Sequence, residues 1–312
     1  MANSNIKSVG GQALIEGVMM RGPKDIAMAV RKPDNGIEVK KQAVSNVVQR
    51  HKGLKLPIVR GGFALIDSMV LGVRSLMYSA EIAEEGIPVN EEPDRFERFM
   101  RKVFKEKADD VLIYFSVFIA LSLAILIFMV SPTLISGVLT RFVDRGIVLS
   151  MIEGIIRLVM FIIYIVAISR LEDIQRVFQY HGAEHKAIYC YEQGDELTVE
   201  NARKYTTLHP RCGTSFLFIV MMVSIIVFSL ISWQGVFMRV ALRIALLPLV
   251  AGISYEVIKY AGKSQSPVMK LVSFPGMMMQ KLTTKEPDDS QLEVALEALK
   301  SALGDDEEIP LA

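Results

Sequence analysis

Hydrophobic positions along the chain form four long apolar segments. Residues 111–130 contain no charged side chain, and a helix of that length crosses roughly 30 Å of hydrocarbon at about 1.5 Å per residue. Residues 147–169, 214–232 and 236–258 are of similar length and mainly apolar, although only 214–232 also lacks charged side chains. A water-soluble protein would need far more polar chain to cover four such helices. The pattern therefore predicts a mainly α, polytopic membrane protein with four transmembrane helices.

The first 60 residues follow a different pattern. Strand-like runs at residues 26–31 and 37–41 flank Pro33-Asp34-Asn35-Gly36, and Asn-Gly between two such runs is a strong hairpin signal. Residues 1–60 are therefore predicted to form a small cytoplasmic β unit with a motif-bearing arm.

Residues 61–80 carry an apolar helical face that Asp67 and Arg74 interrupt. Basic residues lie just before this segment, at Lys52, Lys55 and Arg60. A crossing helix here would place basic flanks on both sides of the membrane, so the pattern favours an interfacial or re-entrant helix.

The remaining segments are polar. Residues 81–110 form a linker that is acidic and then basic, and residues 170–213 join the second and third spans. The tail, residues 259–312, contains a predicted amphipathic helix with Ser290 and Glu293 as its capping box. Its apolar face has two interpretations: it packs on the protein's own cytoplasmic part, or it docks a membrane-protein partner.

Basic residues predict the orientation of the chain in the membrane. Six lie in residues 95–107 and six in residues 170–213, whereas only Arg141 and Arg145 separate the first two spans. By the positive-inside rule, both termini and residues 170–213 are predicted to be cytoplasmic.

Composition agrees with this class of protein. Hydrophobic residues make up 51% of the chain and the mean hydropathy is +0.35, values high for a soluble protein. A net charge of +1 gives no basic footprint for nucleic acid, so lipids are the predicted surroundings and nucleic acid is not a predicted partner. The two cysteines form no disulfide framework.

One polar segment concentrates metal-binding residue types. In the run Tyr180-His181-Gly182-Ala183-Glu184-His185-Lys186, the two histidines fall on one helical face and can bind a single ion. Glu184 lies beside them and is suited to act as a general base or as a hydrogen-bond partner of a ligand. The order H-x-x-E-H matches the inverted zinc-protease motif.

A second pair of candidate ligands follows in the same segment, at His209 and Cys212. If these two bind together with His181 and His185, the site is closed, tetrahedral and structural. With three ligands, water takes the fourth position and Glu184 can activate it for hydrolysis. The alternative without metal is a hydrogen-bonded polar cap.

Convergence of these residues requires a bend after the second span. A straight helix continuing from Ser169 would place His181 about 18 Å beyond the membrane edge, whereas Cys212 lies just before the third span. The chain must therefore turn within residues 170–180 if the residues share one site.

Charged side chains inside the spans form a second candidate site: Glu153, Arg157, Arg239 and Arg243. The cost of burying charges in the membrane predicts that they pair between helices. The functional interpretation is a polar cavity for a lipid headgroup or a polar peptide. The structural interpretation, an internal ion pair with arginines reaching outward, is favoured.

The chain resembles the YqhQ-like family of bacterial membrane proteins. The resemblance rests on residues 10–23 (GGQALIEGVMMRGP), on Arg60-Gly61-Gly62, and on the HGAEHK and HPRCGTSF stretches. It implies a metal-dependent enzyme with His181, Glu184, His185, His209 and Cys212 as site residues, and it leaves Glu16 and Arg21 as motif positions without a role.

The glycine-rich arm itself has two interpretations. Glu16 and Arg21 could complete the cytoplasmic site, or the arm packs against the membrane-side helices. Its glycine spacing does not match a phosphate-binding loop.

The leading functional hypothesis is a membrane-embedded, metal-dependent hydrolase at the cytoplasmic face. In it, His181, His185 and His209 hold zinc or a similar divalent ion, Glu184 handles the proton, and Cys212 is a fourth ligand or close neighbour. The alternative is a non-catalytic adaptor or regulator, in protein export or membrane quality control, with a structural metal or a hydrogen-bonded cap.

Overall fold

The computed structural model describes residues 9–44, 56, 58–85, 95–104, 108–139, 142, 146–210, 212–230, 235–261 and 266–304. The described chain is mainly α with one small sheet. The strands are β1 (Gly10–Leu14), β2 (Gly17–Arg21), β3 (Asp25–Arg31) and β4 (Ile37–Ala43). The helices are α1 (Val59–Ala83), α2 (Arg95–Phe104), α3 (Ala108–Ile125), α4 (Ser131–Leu139), α5 (Ile147–Ile168), α6 (Glu172–Gln193), α7 (Val199–Arg203), α8 (Gly213–Ser229), α9 (Val236–Ala261), α10 (Pro267–Thr283) and α11 (Asp289–Leu303).

Four helical segments are long and apolar enough to cross a membrane: Val59–Ala83, Val111–Leu139, Ile147–Ile168 and Phe237–Tyr260. The second runs from α3 through a π-helical turn, Leu126–Val130, into α4. The predicted apolar segments 111–130, 147–169 and 236–258 are therefore long helices. These four helices indicate a membrane protein.

Two of the predicted segments differ from the structure in length. The predicted span 214–232 forms the shorter apolar helix Phe216–Ser229. The segment predicted as an interfacial or re-entrant helix, 61–80, belongs instead to an unbroken 25-residue helix, Val59–Ala83. That α1 lies in the membrane interface or re-enters the membrane, rather than crossing it, stays a prediction.

The polar linker and tail contain more helix than predicted. Within residues 81–110, α1 continues to Ala83 and Arg95–Phe104 is helical, while residues 86–94 and 105–107 lie outside the described part of the chain. In the tail, Pro267–Thr283 forms a helix before the predicted amphipathic one.

The chain divides into two compact units. One comprises Met1–Gly86, Tyr164–Val223 and Leu246–Ala312, and the other comprises Ile87–Ile163 and Ser224–Ala245. The first contains the sheet and the predicted His/Cys segment. The second contains Glu153, Arg157, Arg239 and Arg243.

The sheet of the first unit is an antiparallel meander in the order β1-β2-β3-β4. The predicted hairpin is present: β3 and β4 pair from Asp25 with Ala43 to Arg31 with Ile37. Asn35 takes the left-handed conformation, φ 66°, that its turn requires. The glycine-rich arm forms a further hairpin, β1 with β2, which the sequence had not indicated.

Helices cover both faces of this sheet. On one face, Leu14, Met19, Ile26 and Met28 pack with side chains of α1 such as Leu71. On the other face lie α6 and α11, and the core there includes Val18, Met20, Ala27, Tyr180, Ala183 and Leu299. Because alternate residues of β2 and β3 point to opposite faces and both faces are buried, these strands are apolar between their charged end residues.

The tail helix α11 packs its apolar face into this core, as the first of its two interpretations predicted. Its capping box lies two residues earlier than predicted, at Asp288 and Gln291. Ser290 Oγ instead donates to Asp288 Oδ1 at 2.7 Å, and Glu293 accepts from Arg31 Nη2 at 2.8 Å. Asp288 can cap because its carboxylate accepts from the Gln291 backbone N–H at 2.9 Å.

Candidate metal centre

Three candidate ligands from two parts of the chain meet in the first unit. His181 and His185 lie one turn apart on α6, with their ring centroids 4.5 Å apart. Cys212 comes from the loop before α8, and its Sγ lies 3.1 Å from His181 Nε2. One ligand atom from each of the three residues lies within 4.8 Å of the others.

The predicted break after the second apolar segment makes this convergence possible. The helix ends at Ile168, and Leu171 is extended, with φ −74° and ψ 133°. Glu172 and Asp173 then occupy the first turn of α6, where negative charge is favourable. The histidines therefore lie on a separate helix rather than on a straight extension of α5.

Backbone carbonyls orient both imidazoles. His181 Nδ1 lies 2.8 Å from the carbonyl oxygen of Thr283, and His185 Nδ1 bonds the carbonyl oxygen of Thr207. Because a carbonyl only accepts, Nδ1 must donate in both cases, which leaves the lone pair on Nε2. Metal-binding histidines are commonly held by a bond of this kind from the ring nitrogen that does not bind the ion.

The donor atoms at this point fit a metal ion. His185 is 1% exposed, and its Nε2 has no hydrogen-bond partner within the described residues, although buried polar atoms nearly always have one. Two imidazole nitrogens and a cysteine sulfur form a donor set that suits zinc. Burial also lowers the pKa of His185, which favours the neutral, ligand-competent imidazole.

His209 lies beside this cluster but turns to other partners. Its ring is 5.7 Å from that of His185, and its Nε2 lies 3.3 Å from Glu192 Oε2. Its backbone is fixed by Gln280, whose amide accepts from the His209 N–H at 2.7 Å and donates to the His209 carbonyl at 2.8 Å. The structure thus brings together three of the four predicted ligands.

Glu184 is buried next to these ligands, on the same helix. It is 6% exposed, and burial raises its pKa to about 7, opposed by the nearby His181 and by a hydrogen bond from the Gly11 backbone. Gly11 allows this contact, because a Cβ there would lie 2.8 Å from Glu184 Cγ. The glycine-rich arm therefore reaches the site through the backbone of β1.

The other two motif positions of the arm lie elsewhere. Glu16, at the β1–β2 turn, accepts from Arg176 Nε and Nη2, each at 2.5 Å. Arg21 Nη1 lies 3.7 Å from Asp67 Oδ2 on α1. Neither side chain is part of the His/Cys cluster. Arg21 contacts α1, a helix long and apolar enough to cross a membrane, whereas Glu16 contacts α6.

Several partners of the site carried no signal in the sequence. Thr207 and Thr283 act through their carbonyl oxygens, which every residue type possesses. Gln280 and Glu192 were ordinary polar residues of their segments. Their roles follow from contacts with residues far away in the sequence, which only the structure shows.

The charged residues of the second unit form an internal ion-pair network, as predicted, but Arg157 and Arg243 are buried within it rather than reaching outward. Glu153 is 1% exposed, and both of its oxygens accept from Arg243. Arg239 Nη1 lies 3.5 Å from it, and Thr133 Oγ1 donates to it at 2.6 Å. Arg157 Nε donates to the Phe128 carbonyl in the π-helical turn at 2.8 Å, a carbonyl that such turns release from regular helix bonding.

Comparisons with known proteins give a family but no activity. The family model described as "Protein of unknown function (DUF1385)" matches residues 56–305. The chain is 34% identical over 299 residues to "Uncharacterized protein YqhQ" of Bacillus subtilis (strain 168), which covers 94% of this chain and 92% of that protein. No solved structure matches it.

Proposed function

This chain belongs to the YqhQ-like (DUF1385) family, and from that premise we propose that it is a membrane-embedded, metal-dependent hydrolase. The observation that carries the proposal is the convergence of His181, His185 and Cys212, with a buried imidazole nitrogen that has no partner in the described chain. Soft sulfur and neutral imidazole at one point are the chemistry of a zinc site.

The residues of the site divide into holding and proton-transfer roles. His181 Nε2, His185 Nε2 and Cys212 Sγ would hold the ion, and the carbonyls of Thr207 and Thr283 keep both rings in the required tautomer. A zinc ion in such a site lowers the pKa of bound water and polarises a substrate carbonyl. Glu184 would receive the proton, since it lies on the same helix between the two histidines.

Three donors favour catalysis over a purely structural metal. Structural zinc sites are closed by four protein ligands, whereas catalytic sites keep one position open. His209 is the residue that would close the site, and it is instead held by Glu192 and Gln280. With His209 held elsewhere, the fourth position on the ion would be left to water or substrate.

A second candidate function rests on burial. His185 is 1% and Cys212 8% exposed, and the cluster joins α6, the loop before α8 and the end of α10. This arrangement also suits a structural metal in a non-catalytic membrane adaptor or regulator. Because α11 packs its apolar face in the core, a partner docking on the tail would use the opposite face, which carries Glu293, Glu297 and Lys300.

The proposed site faces the cytoplasm of a bacterial cell. Six basic residues in 95–107 and six in 170–213, against two between the first two apolar segments, support this orientation. A reporter enzyme that is active only in the cytoplasm, fused after Ala312, tests this orientation, and we expect it to be active. Activity of a periplasmic reporter at the same position would contradict it.

Metal content and hydrolysis together test the function. Zinc is measured by mass spectrometry in detergent-purified full-length protein, and hydrolysis with ester, phosphoester and peptide probes. We expect bound zinc in the wild type, its loss in His181→Ala, and its retention in His209→Ala. Glu184→Gln is expected to retain zinc and lose hydrolysis.

The outcomes separate the candidates. Wild-type protein without metal overturns both metal hypotheses. Zinc that is lost in His209→Ala as well as in His181→Ala indicates a closed, structural site. Zinc and hydrolysis that both persist in Glu184→Gln remove the proposed role of Glu184.

A further inference from the structure

A basic cavity lies between the sheet and α1, away from the His/Cys cluster. Its volume is about 410 Å³, within the range of ligand pockets. Strands β2, β3 and β4 form one wall and the middle of α1 forms the other. We propose that this cavity binds the anionic headgroup of a membrane phospholipid, a role beyond the proposed hydrolase.

Charge in the cavity is unbalanced. Arg21, Lys40 and Arg74 line it together with one carboxylate, Asp67. Asp67 lies 3.7 Å from Arg21, and Lys40 Nζ lies over the Tyr78 ring at 4.4 Å. Within the described residues neither Lys40 nor Arg74 forms a salt bridge, so two cations remain to pair with a ligand phosphate.

A buried hydroxyl group also lines the cavity. Ser75 is 0% exposed, and its Oγ has no hydrogen-bond partner in the described chain. A buried hydroxyl without a partner is costly. A phosphate oxygen would accept from it, which makes Ser75 a second, independent sign of a polar ligand.

The outer surface of α1 explains why the anion belongs to a lipid. Large apolar side chains of this helix are exposed: Phe63, Ile66, Met69, Val70, Val73 and Met77. Val70 belongs both to this stripe and to the cavity lining. An apolar surface that continues into a cationic cavity matches an acyl chain joined to an anionic headgroup.

The start of α1 also lies against a membrane helix. A Cβ at Gly61 would lie 2.9 Å from the Cα of Gly252, so the two backbones approach closely. Gly252 is part of Phe237–Tyr260, one of the helices that can cross the membrane. Lipid at that helix is therefore within reach of the stripe on α1.

Binding of a short-chain lipid tests the proposal. Full-length protein in a neutral detergent is titrated with dihexanoyl-phosphatidylglycerol, dihexanoyl-phosphatidylcholine or inorganic phosphate, and bound molecules are counted by native mass spectrometry. We expect the anionic lipid to bind best. The double variant Lys40→Gln/Arg74→Gln should bind it about thirtyfold more weakly, since each basic residue near an anionic lipid contributes about five- to sixfold to the affinity.

The matched control removes two positive charges elsewhere in the same unit. Lys281→Gln/Lys300→Gln changes two exposed lysines and should bind like the wild type. Arg74→Lys should restore most of the binding that Arg74→Gln loses, which separates charge from folding.

Three results would overturn the proposal. One is equal binding of the anionic lipid by Lys40→Gln/Arg74→Gln and by the control. Another is equal binding of the choline and glycerol lipids by the wild type. The third is inorganic phosphate binding as tightly as the anionic lipid, which would assign the cavity to a soluble anion.

Discussion

His181 Nε2 lies 3.1 Å from Cys212 Sγ, although 31 positions separate the two residues along the chain. The contact links α6 to the loop that leads into an apolar helix. Two backbone carbonyls fix the imidazoles around it: that of Thr207, in the same loop as Cys212, and that of Thr283, at the end of α10. Three stretches of chain thus position the candidate ligands, which is the preorganisation that a metal site requires.

Replacement of Cys212 should remove the sulfur donor from this site. Loaded with Co²⁺, the full-length protein is expected to show sulfur-to-metal charge-transfer absorption, and Cys212→Ser is expected to lose it. Cys190→Ala is the control, because Cys190 donates to the Glu196 carbonyl at 3.3 Å and burial raises its pKa to about 11. If Cys190→Ala loses the absorption and Cys212→Ser keeps it, the assignment of the ligand is wrong.

Gly11→Ala should destabilise the protein by about 1–3 kcal/mol, since the new methyl group is forced into a packed core. Its Cβ would lie 2.8 Å from both Glu184 Cγ and the Met19 carbonyl oxygen. The matched control is Gly10→Ala, where no atom lies within 4 Å of the added Cβ. Thermal unfolding in detergent measures both. Equal shifts for the two variants would show that the contact between β1 and Glu184 is not tight.

The β3–β4 and β1–β2 hairpins show what a sequence can and cannot predict about this fold. Asn35 and Gly36 predict the β3–β4 turn because asparagine and glycine tolerate its left-handed backbone. The β1–β2 turn uses Glu16 with φ 48°, a conformation that glutamate rarely takes. Arg176, 160 positions away, binds the Glu16 side chain there. The residues around Glu16 in the sequence cannot predict a partner so distant along the chain.

The candidate site divides in the same way. Spacing along one helix was enough to predict that His181 and His185 share a face, because helical geometry is local. The choice between His209 and Cys212 was not predictable, since both are good ligands three positions apart. Glu192 on α6 and Gln280 on α10 decide it by holding His209, and the contact with Gln280 depends on the packing of α10.

Glu184 should make the metal-free protein less stable as the pH rises. Its folded pKa of about 7 lies above the ordinary 4.5, so between these values the unfolded chain binds fewer protons than the folded chain. Its contribution to the free energy of unfolding is present below about pH 4.5 and is lost as the pH rises through 7, on the order of 3 kcal/mol.

Comparison with Glu184→Gln isolates this effect. The variant cannot ionise, so we expect it to be more stable than the wild type above pH 7 and to approach it near pH 4.5. Titration of His185, whose pKa burial lowers, has the opposite sign but is shared by both proteins and cancels in the difference. Denaturant unfolding of both proteins in the presence of a chelator, at several pH values, measures the difference in their free energies of unfolding. A difference that does not change with pH would contradict the raised pKa.

Glu153→Gln should be among the most destabilising single changes in the second unit. The substitution keeps the shape of the side chain but leaves Arg243, which is 5% exposed, without its carboxylate partner. Breaking one side of a buried ion pair costs about 3–5 kcal/mol, because the remaining charge stays away from water. Thermal unfolding of the full-length protein in detergent measures the loss. Glu297→Gln, at an exposed position of α11, removes the same charge and should leave the unfolding temperature nearly unchanged. If Glu153→Gln also leaves the unfolding temperature unchanged, the network does not stabilise the fold, and a polar cavity for a lipid headgroup becomes the better interpretation of these residues.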